Sequence, residues 1–288
     1  MDLPVERTER WISIGSAEIY SLEWKPKETP VVAAIHFIHG HGDHMSRYDA
    51  VLGPIAAQNG FYIRGIDQRG FGETGTRSKS MGNCQGMDVS LGDIAHISAL
   101  IRNDYPSVPL FLMGYSRGGA LALLHAWKQP DIVRGVIALS PPLAGPNPGF
   151  VAKTALFLLG SLVPGFVMDT GKDATPVTRN SDLYEWLLND PLNTSKISIA
   201  TVRDILCTFP PLFDKDVPEA LECPLLVLFG GDDKIVPPDS GRKFVEKAKS
   251  TDKTFKEFPG ARHSLLFELE ETKLAAIDTL SGWIKERI

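Results

Sequence analysis

The sequence has few cysteines, and their spacing argues against the structural roles that this residue usually takes. Only Cys84, Cys207 and Cys223 occur in 288 residues. Three cysteines, none of them in a closely spaced pair, predict neither a disulfide framework nor a structural zinc site. Because free thiols persist in a reducing compartment, we expect a cytoplasmic protein.

The chain has fewer basic than acidic residues, and no segment has the pattern of a membrane span. Thirty lysines and arginines against 35 acidic residues give a net charge of −5, so we expect no nucleic-acid partner. The first ten residues are charged and lack an apolar core, unlike a signal peptide. The apolar segment 150–166 is too short to cross a bilayer, and Gly160 and Pro164 interrupt it. These features predict a soluble globular protein.

The apolar content is high enough for a large core, and its pattern indicates the fold class. Hydrophobic residues make up 43% of the chain. Strand and helix patterns alternate over residues 31–140 and again after residue 223, which predicts an α/β protein with a mostly parallel central sheet. Between these two regions the sequence contains prolines and predicts only short helices and turns. We expect a core of residues 1–144 and 218–288, with 145–217 inserted as a helical lid at the carboxyl edge of the sheet.

A strand, a tight turn and a helix place the candidate nucleophile, Ser116, in a characteristic context. Residues 109–113 have the pattern of a buried strand, and residues 120–127 that of a helix. The turn between them reads Gly-Tyr-Ser-Arg-Gly, a nucleophile elbow that exposes a serine hydroxyl and tolerates no side chain at its glycines. The backbone N–H of Arg117 would stabilise a developing oxyanion at the helix start. An ordinary strand–turn–helix is the alternative, since glycine is common in this chain.

Two later loops supply candidate partners for the serine. In α/β-hydrolases the triad follows the chain order serine, acid, histidine. Asp232 and Asp233 come directly after a predicted strand, and His263, the only histidine beyond His125, follows the next strand. We predict Asp233 as the acid and His263 as the base, with Asp232 as a turn residue.

Four of the seven histidines lie in residues 36–44, which allow two interpretations. The pattern H-x-H-x-D-H occurs as a zinc-ligand motif in metallo-β-lactamase-like hydrolases. Such a site needs further ligands downstream, and both His96 and His125 fall in helical patterns. The other interpretation is an oxyanion loop in which the backbone N–H of His41 faces the elbow. We favour this second interpretation and expect no metal ion and no cofactor.

Five segments carry a resemblance to a known family. They are His-Gly-His-Gly-Asp-His-Met-Ser-Arg-Tyr at 39–48, Asp-Gln-Arg-Gly-Phe-Gly at 67–72, Gly-Tyr-Ser-Arg-Gly-Gly at 114–119, Asp-Pro-Leu at 190–192, and the segment 252–263 that ends in the candidate histidine. In these the chain resembles the monoacylglycerol lipase family of serine α/β-hydrolases, also called the serine aminopeptidase S33-like group. The similarity extends over nearly the whole length.

The resemblance implies an α/β-hydrolase fold and a Ser-His-Asp hydrolase that cleaves long-chain monoacylglycerols to fatty acid and glycerol. It implies that Asp43 and Arg47 lie where the family binds the glycerol head group. Leu187 stands where the family has a tyrosine that contacts glycerol, while Arg117 and Tyr115 replace the usual methionine and histidine. Lysophospholipase, general carboxylesterase and lactonase activities are alternatives, and a non-catalytic binding protein is a remote one.

The apolar segment within the insertion has two interpretations as well. Residues 150–166 carry a single charge, Lys153. They fit a helix over an acyl pocket that also touches a membrane surface, with Leu158 and Leu159 as part of the acyl wall. An ordinary core helix is the alternative.

Overall fold

A single eight-stranded sheet forms the centre of the molecule in a computed structural model, which describes residues 4–145 and 148–288. The first three residues of the N-terminal segment and two residues at the start of the insertion lie outside this description. The sheet strands are β1 Val5–Ile14, β2 Ala17–Pro26, β3 Ala33–Ile38, β4 Phe61–Ile66, β5 Leu110–Tyr115, β6 Gly135–Leu139, β9 Leu225–Gly230 and β10 Lys253–Phe258; β7 Val167–Asp169 and β8 Lys196–Ser198 form a separate pair.

The strand order is β1-β2-β4-β3-β5-β6-β9-β10. The first two strands form an antiparallel hairpin, and β2 pairs antiparallel with β4. All remaining pairs are parallel. The predicted mostly parallel sheet is therefore confirmed. Strands β3, β4, β5, β6 and β9 are buried along their whole length, as continuous apolar runs in a parallel sheet require.

Helices cover both faces of the sheet. The α-helices are α1 Asp49–Asn59, α2 Gly72–Arg77, α3 Met87–Asp104, α4 Arg117–Lys128, α5 Gly149–Leu162, α6 Tyr184–Asn189, α7 Ile199–Arg203, α8 Phe209–Pro211, α9 Val217–Ala220, α10 Pro238–Lys247 and α11 Glu270–Lys285. Two π-helical turns, Asp204–Thr208 and Leu212–Asp216, join α7, α8 and α9. Residues of α1 and α11 pack on one face and residues of α3, α4 and α10 on the other. Successive side chains of a strand point to opposite faces of a sheet. Phe111, Met113 and Tyr115 of β5 therefore pack in the core with α1 and α11, and Leu112 packs in the core with α3, α4 and α10.

The insertion between β6 and β9 differs in one respect from the sequence prediction. That prediction contained only helices and turns, but β7 and β8 form a short antiparallel pair. Each strand has three residues, too few for a pattern of alternating hydrophobicity to be detected. Within the described part of the chain, no helix is long and apolar enough to cross a membrane.

The parallel strands all end at one edge of the sheet, and this arrangement gathers the candidate residues. The histidine-rich loop follows β3, Ser116 follows β5, Asp232 and Asp233 follow β9, and His263 follows β10. Residues that are far apart in sequence thereby converge at the carboxyl edge, where open α/β sheets bind ligands.

Candidate active site

The turn between β5 and α4 holds Ser116 in a strained backbone conformation. Its φ is 51° and its ψ −123°, a combination that side-chain-bearing residues rarely adopt. A Cβ atom at Gly114 would lie 2.2 Å from the carbonyl oxygen of Gly118, and one at Gly118 would lie 2.0 Å from the carbonyl oxygen of Ile38. Glycine is therefore required at both positions because the neighbouring backbone leaves no space for a side chain.

The side chains of Ser116, His263 and Asp233 form one hydrogen-bonded chain. The hydroxyl of Ser116 lies 2.9 Å from Nε2 of His263, and Nδ1 of His263 donates to Oδ2 of Asp233 at 2.7 Å. The other carboxylate oxygen, Oδ1, accepts the backbone N–H groups of Ile235 and Val236 at 2.8 and 2.9 Å. This geometry allows the imidazole to take a proton from the hydroxyl while the carboxylate fixes its tautomer.

Asp232 has a different environment from its neighbour. Its side chain is 45% exposed and forms an ion pair with Lys234. The side chain of Asp233, by contrast, has no exposed surface. Only one of the two adjacent carboxylates therefore faces His263.

The loop after β3 lies directly beside the elbow. A Cβ atom at Gly40 would be 3.3 Å from Cβ of Ser116 and 3.0 Å from the ring of Tyr115. His39 is buried, and burial lowers its pKa to about 4, so the ring is neutral. Its Nδ1 donates to the carbonyl of Gly40 at 2.8 Å, and its Nε2 accepts the backbone N–H of Gln68 at 2.9 Å. These bonds hold His39 and Gly40 in place at the start of the loop.

The two backbone N–H groups predicted to stabilise an oxyanion belong to Arg117 and His41. Arg117 is the first residue of α4, so its N–H has no acceptor within the helix. His41 lines the same cavity as Ser116. The His41 ring packs edge-on against Phe71, and burial lowers its pKa to about 3. The His41 ring is therefore neutral and offers no positive charge to an anion.

Asp43 and Arg47 form a buried ion pair that lines the same cavity as Ser116. Nη1 of Arg47 donates to Oδ1 of Asp43 at 2.9 Å, and the hydroxyl of Tyr48 donates to Oδ2 at 2.5 Å. Burial raises the pKa of Asp43, but the charge of Arg47 and the hydrogen bonds outweigh it, so the net shift is downward. The guanidinium of Arg47 also stacks over the rings of Trp186 and Phe267, 5.3 Å from each centroid.

A cavity of about 370 Å³ opens above Ser116. Of the other residues predicted to bind substrate, Asp43, Arg47 and Leu187 line it, together with Lys172 and several polar residues of the insertion. The structure does not bring Leu158 and Leu159 to this cavity. Both lie on α5 with 60% and 45% of their surface exposed.

The histidines of residues 36–44 form hydrogen bonds to different partners. His44 bonds Ser46 through Nδ1 and Asp190 through Nε2, at 2.9 and 2.7 Å. His36, within β3, bonds Ser98 of α3 through Nδ1 at 3.0 Å. Over residues 4–145 and 148–288, no group of three or more histidine, cysteine, aspartate or glutamate side chains is arranged to hold a metal ion.

The model of the hydrolase family described as serine aminopeptidase, S33, matches residues 29–270. The chain belongs to this family. It is 28% identical over 291 residues to the monoglyceride lipase of Mus musculus, covering 100% of this chain and 93% of that protein. It is 26% identical over 275 residues to the monoacylglycerol lipase of Mycolicibacterium smegmatis, covering 94% of each chain.

A solved structure shares the fold. A soluble variant of monoglyceride lipase from Saccharomyces cerevisiae, in complex with a substrate analogue, superposes with a TM-score of 0.87 at 23% identity, covering 96% of this chain and 94% of that one. The predicted α/β-hydrolase fold is thus confirmed. The predicted family, the monoacylglycerol lipase or S33-like group, is confirmed by the family model and by the relatives. This S33-family protein is a serine ester hydrolase.

Two residues that support His263 were missed by sequence reasoning. Oγ of Ser140, after β6, donates to the backbone carbonyl of His263 at 2.8 Å. The buried carboxylate of Glu268 accepts the backbone N–H of Arg262 and two groups of Arg179, at 2.9 to 3.0 Å. Ser140 has a φ of 47°, and no sequence motif indicates this backbone conformation or the hydrogen bond that it allows. Glu268 comes just before an amphipathic helix, and a glutamate in this position predicts a helix start rather than a residue that supports the base.

Proposed function

We propose that this S33-family hydrolase cleaves long-chain monoacylglycerols to fatty acid and glycerol, with Ser116 as nucleophile. The observation that carries the proposal is the hydrogen-bonded chain from Ser116 through His263 to Asp233 at the base of a cavity. Proteins that bear the names monoglyceride lipase and monoacylglycerol lipase, similar to this chain along nearly its full length, support the choice of substrate.

In the proposed reaction, Nε2 of His263 takes the proton of Ser116 as the hydroxyl oxygen attacks the ester carbonyl. The backbone N–H groups of His41 and Arg117 stabilise the oxyanion. The imidazolium then gives its proton to the departing glycerol oxygen, and an acyl-enzyme remains. Water, activated by the same imidazole, releases the fatty acid and restores Ser116. Asp233 keeps Nδ1 protonated throughout.

The cavity offers different environments to the two halves of the substrate. Val177, Leu187 and Ile235 contribute apolar wall, against which we place the acyl chain. Asp43 and Arg47 also line the cavity, and we place the glycerol hydroxyl groups beside this pair. Leu187 offers no hydrogen bond to glycerol, so recognition of the head group rests on this ion pair.

The exposed apolar face of α5 supports peripheral contact with a membrane. Phe150, Val151 and Leu162 are each more than three-quarters exposed, and Leu158 lies 60% exposed on the same helix. A helix with such a face buries it in the interfacial region of a bilayer. We therefore place Leu158 and Leu159 at the lipid surface, beside the entrance for acyl chains, with residues 145–217 acting as the lid.

One observation favours a second candidate, hydrolysis of a lysophospholipid. Lys172 lines the cavity, and its Nζ donates to the backbone carbonyls of Leu188 and Asp190 at 3.2 and 3.0 Å. Within the described residues it forms no ion pair with a carboxylate, so its charge is available to a phosphate.

The test compares kcat/KM for 1-lauroylglycerol, a lauroyl lysophospholipid and p-nitrophenyl acetate in the wild type and in Ser116→Ala. We expect the glycerol ester to be the best substrate and the alanine variant to lose about a thousandfold or more on all three. A clear preference for the lysophospholipid would select the second candidate. Equal turnover by Ser116→Ala would refute the nucleophile.

A further inference from the structure

The side chain of Arg117 is a buried cation for which the proposed chemistry has no use, because that chemistry needs only its backbone N–H. It is 1% exposed. Nη1 donates to Oε1 of Gln68 at 2.8 Å, and Nη2 donates to Oγ of Ser90 at 2.8 Å and lies 3.2 Å from Sγ of Cys84. None of these acceptors is a carboxylate.

The charge of Arg117 has no direct ion pair among the residues that the structure describes. Burial raises the pKa of Asp204, in the insertion, and the nearby charges of Arg203 and Arg117 offset this only in part. The carboxylate of Asp204 bonds Arg203 at 3.2 Å. A guanidinium buried among neutral acceptors is less favourable for folding than an apolar side chain of the same length. Stability alone therefore does not account for an arginine at this position.

Gln68 extends the contact of Arg117 to the loop after β3. Its Nε2 donates to the backbone carbonyl of His39 at 2.7 Å, and its backbone N–H donates to Nε2 of His39 at 2.9 Å. The two ends of the Gln68 amide are thus used at once, one as acceptor from Arg117 and the other as donor to His39. Because a guanidinium cannot accept a hydrogen bond, the amide has only one orientation that satisfies both partners.

We infer that the Arg117 side chain is a positioning residue that sets the distance between the elbow and the oxyanion loop. Its own backbone N–H and that of His41 are the two proposed oxyanion donors, and the chain Arg117–Gln68–His39 joins the segments that carry them. Oxyanion donors act only within about 2.7–3.1 Å of the developing charge, so a small shift of one segment weakens catalysis. The inference rests on the proposed function of Ser116.

The first test compares Arg117→Met, Gln68→Met and the double variant on p-nitrophenyl butyrate. We expect kcat to fall about 10- to 100-fold in each single variant, with KM changed by less than about threefold, because ground-state binding does not use the oxyanion donors. The double variant should lose no more than the worse single variant, since both substitutions break the same connection.

A matched control separates positioning from stability. Arg64, in β4, is also a buried arginine, 2% exposed. Its Nε donates to Oγ of Ser21 at 3.1 Å, and its guanidinium pairs with Glu23 and Asp104 at 3.7 and 3.6 Å, so its contacts lie outside the connection from Arg117 to His39. Arg64→Met should lower the melting temperature while kcat stays within about twofold of wild type. If Arg117→Met does not fold, Gln68→Glu provides the same test: it retains an acceptor for Arg117 but removes the donor to His39, so kcat should still fall.

The readout specific to positioning is affinity for a transition-state analogue. The inhibition constant of an alkyl trifluoromethyl ketone, which forms an oxyanion on the serine, should rise in step with the loss of kcat in Arg117→Met. The dissociation constant of a non-hydrolysable alkyl ether should not change. Wild-type kcat in Arg117→Met and Gln68→Glu, or an unchanged ketone constant, would overturn the inference. Failure to hydrolyse monoacylglycerol would not affect this test, because the reporter is a simple ester.

Discussion

The adjacent carboxylates Asp232 and Asp233 allow a sharp test of the proposed catalytic geometry. We predict that Asp233→Asn lowers kcat by about ten-thousandfold, equivalent to about 5 kcal/mol of barrier. Asp232→Asn should change kcat by less than about twofold, since its side chain is nearly half exposed and pairs with Lys234 rather than with His263. The two variants differ by one position and have the same change of charge.

The magnitude for Asp233 follows from its hydrogen bonds. Oδ1 accepts two backbone N–H groups, from Ile235 and Val236. In the Asp233→Asn variant the amide oxygen must keep these two donors, so the new NH2 group faces Nδ1 of His263. Nδ1 then becomes an acceptor and the proton moves to Nε2, which points at Ser116. In that tautomer the imidazole cannot take the serine proton. The opposite amide orientation would leave two backbone donors without acceptors, at about 1–3 kcal/mol each.

The assay measures kcat on p-nitrophenyl butyrate together with the thermal melting of each variant and its rate of labelling by a fluorophosphonate. Labelling of Asp233→Asn should slow by a similar factor, since it needs the same activated hydroxyl. Equal losses in the Asp232 and Asp233 variants would refute the reasoning. So would a loss of less than about tenfold in Asp233→Asn.

Three further predictions concern the histidine-rich loop and the insertion. Prolonged EDTA treatment should leave ester hydrolysis unchanged, and loss of activity that zinc restores would instead favour a metal site in residues 36–44. Burial lowers the pKa of His44, but the hydrogen bond to Asp190 and the nearby carboxylates raise this pKa by more, so the net shift is upward. The His44–Asp190 pair therefore stabilises the fold at acidic pH, and this stabilisation is lost as the pH rises through the raised pKa. The melting temperature of the wild type should therefore fall more than that of Asp190→Asn as pH rises from about 6 to about 9, and parallel curves would exclude the pair as the cause. Glutamate at both Leu158 and Leu159 should reduce binding to phosphatidylcholine vesicles by at least about tenfold and leave acetate-ester turnover intact, whereas an equal loss of both would indicate a folding defect.

The sequence was sufficient to predict those site residues that directly follow strands of the sheet. Ser116, Asp233 and His263 each follow a strand of the parallel sheet, and parallel strands end at one edge, so their proximity could be predicted from order along the chain. The choice of Asp233 rested on its place after one strand, with His263 after the next, and the structure places Asp233 rather than Asp232 against His263.

The contacts between distant segments could not be predicted. Ser140 supports His263 across 123 positions of sequence, and Arg117 reaches Gln68 across 49. Neither contact has a local pattern, because hydrogen bonds between loops depend on where the whole sheet places them. The sequence left open whether the apolar segment 150–166 lies at the surface or in the core. Only the packing of α5 shows that Leu158 is exposed.

The most direct test of the central claim is to modify the protein with a fluorophosphonate to different extents and locate the adduct by peptide mass spectrometry. The account predicts one adduct per chain, on Ser116, and residual hydrolysis of 1-lauroylglycerol equal to the unmodified fraction at every extent. A modified protein that still hydrolyses the lipid, or an adduct on any other residue that abolishes turnover, would contradict it.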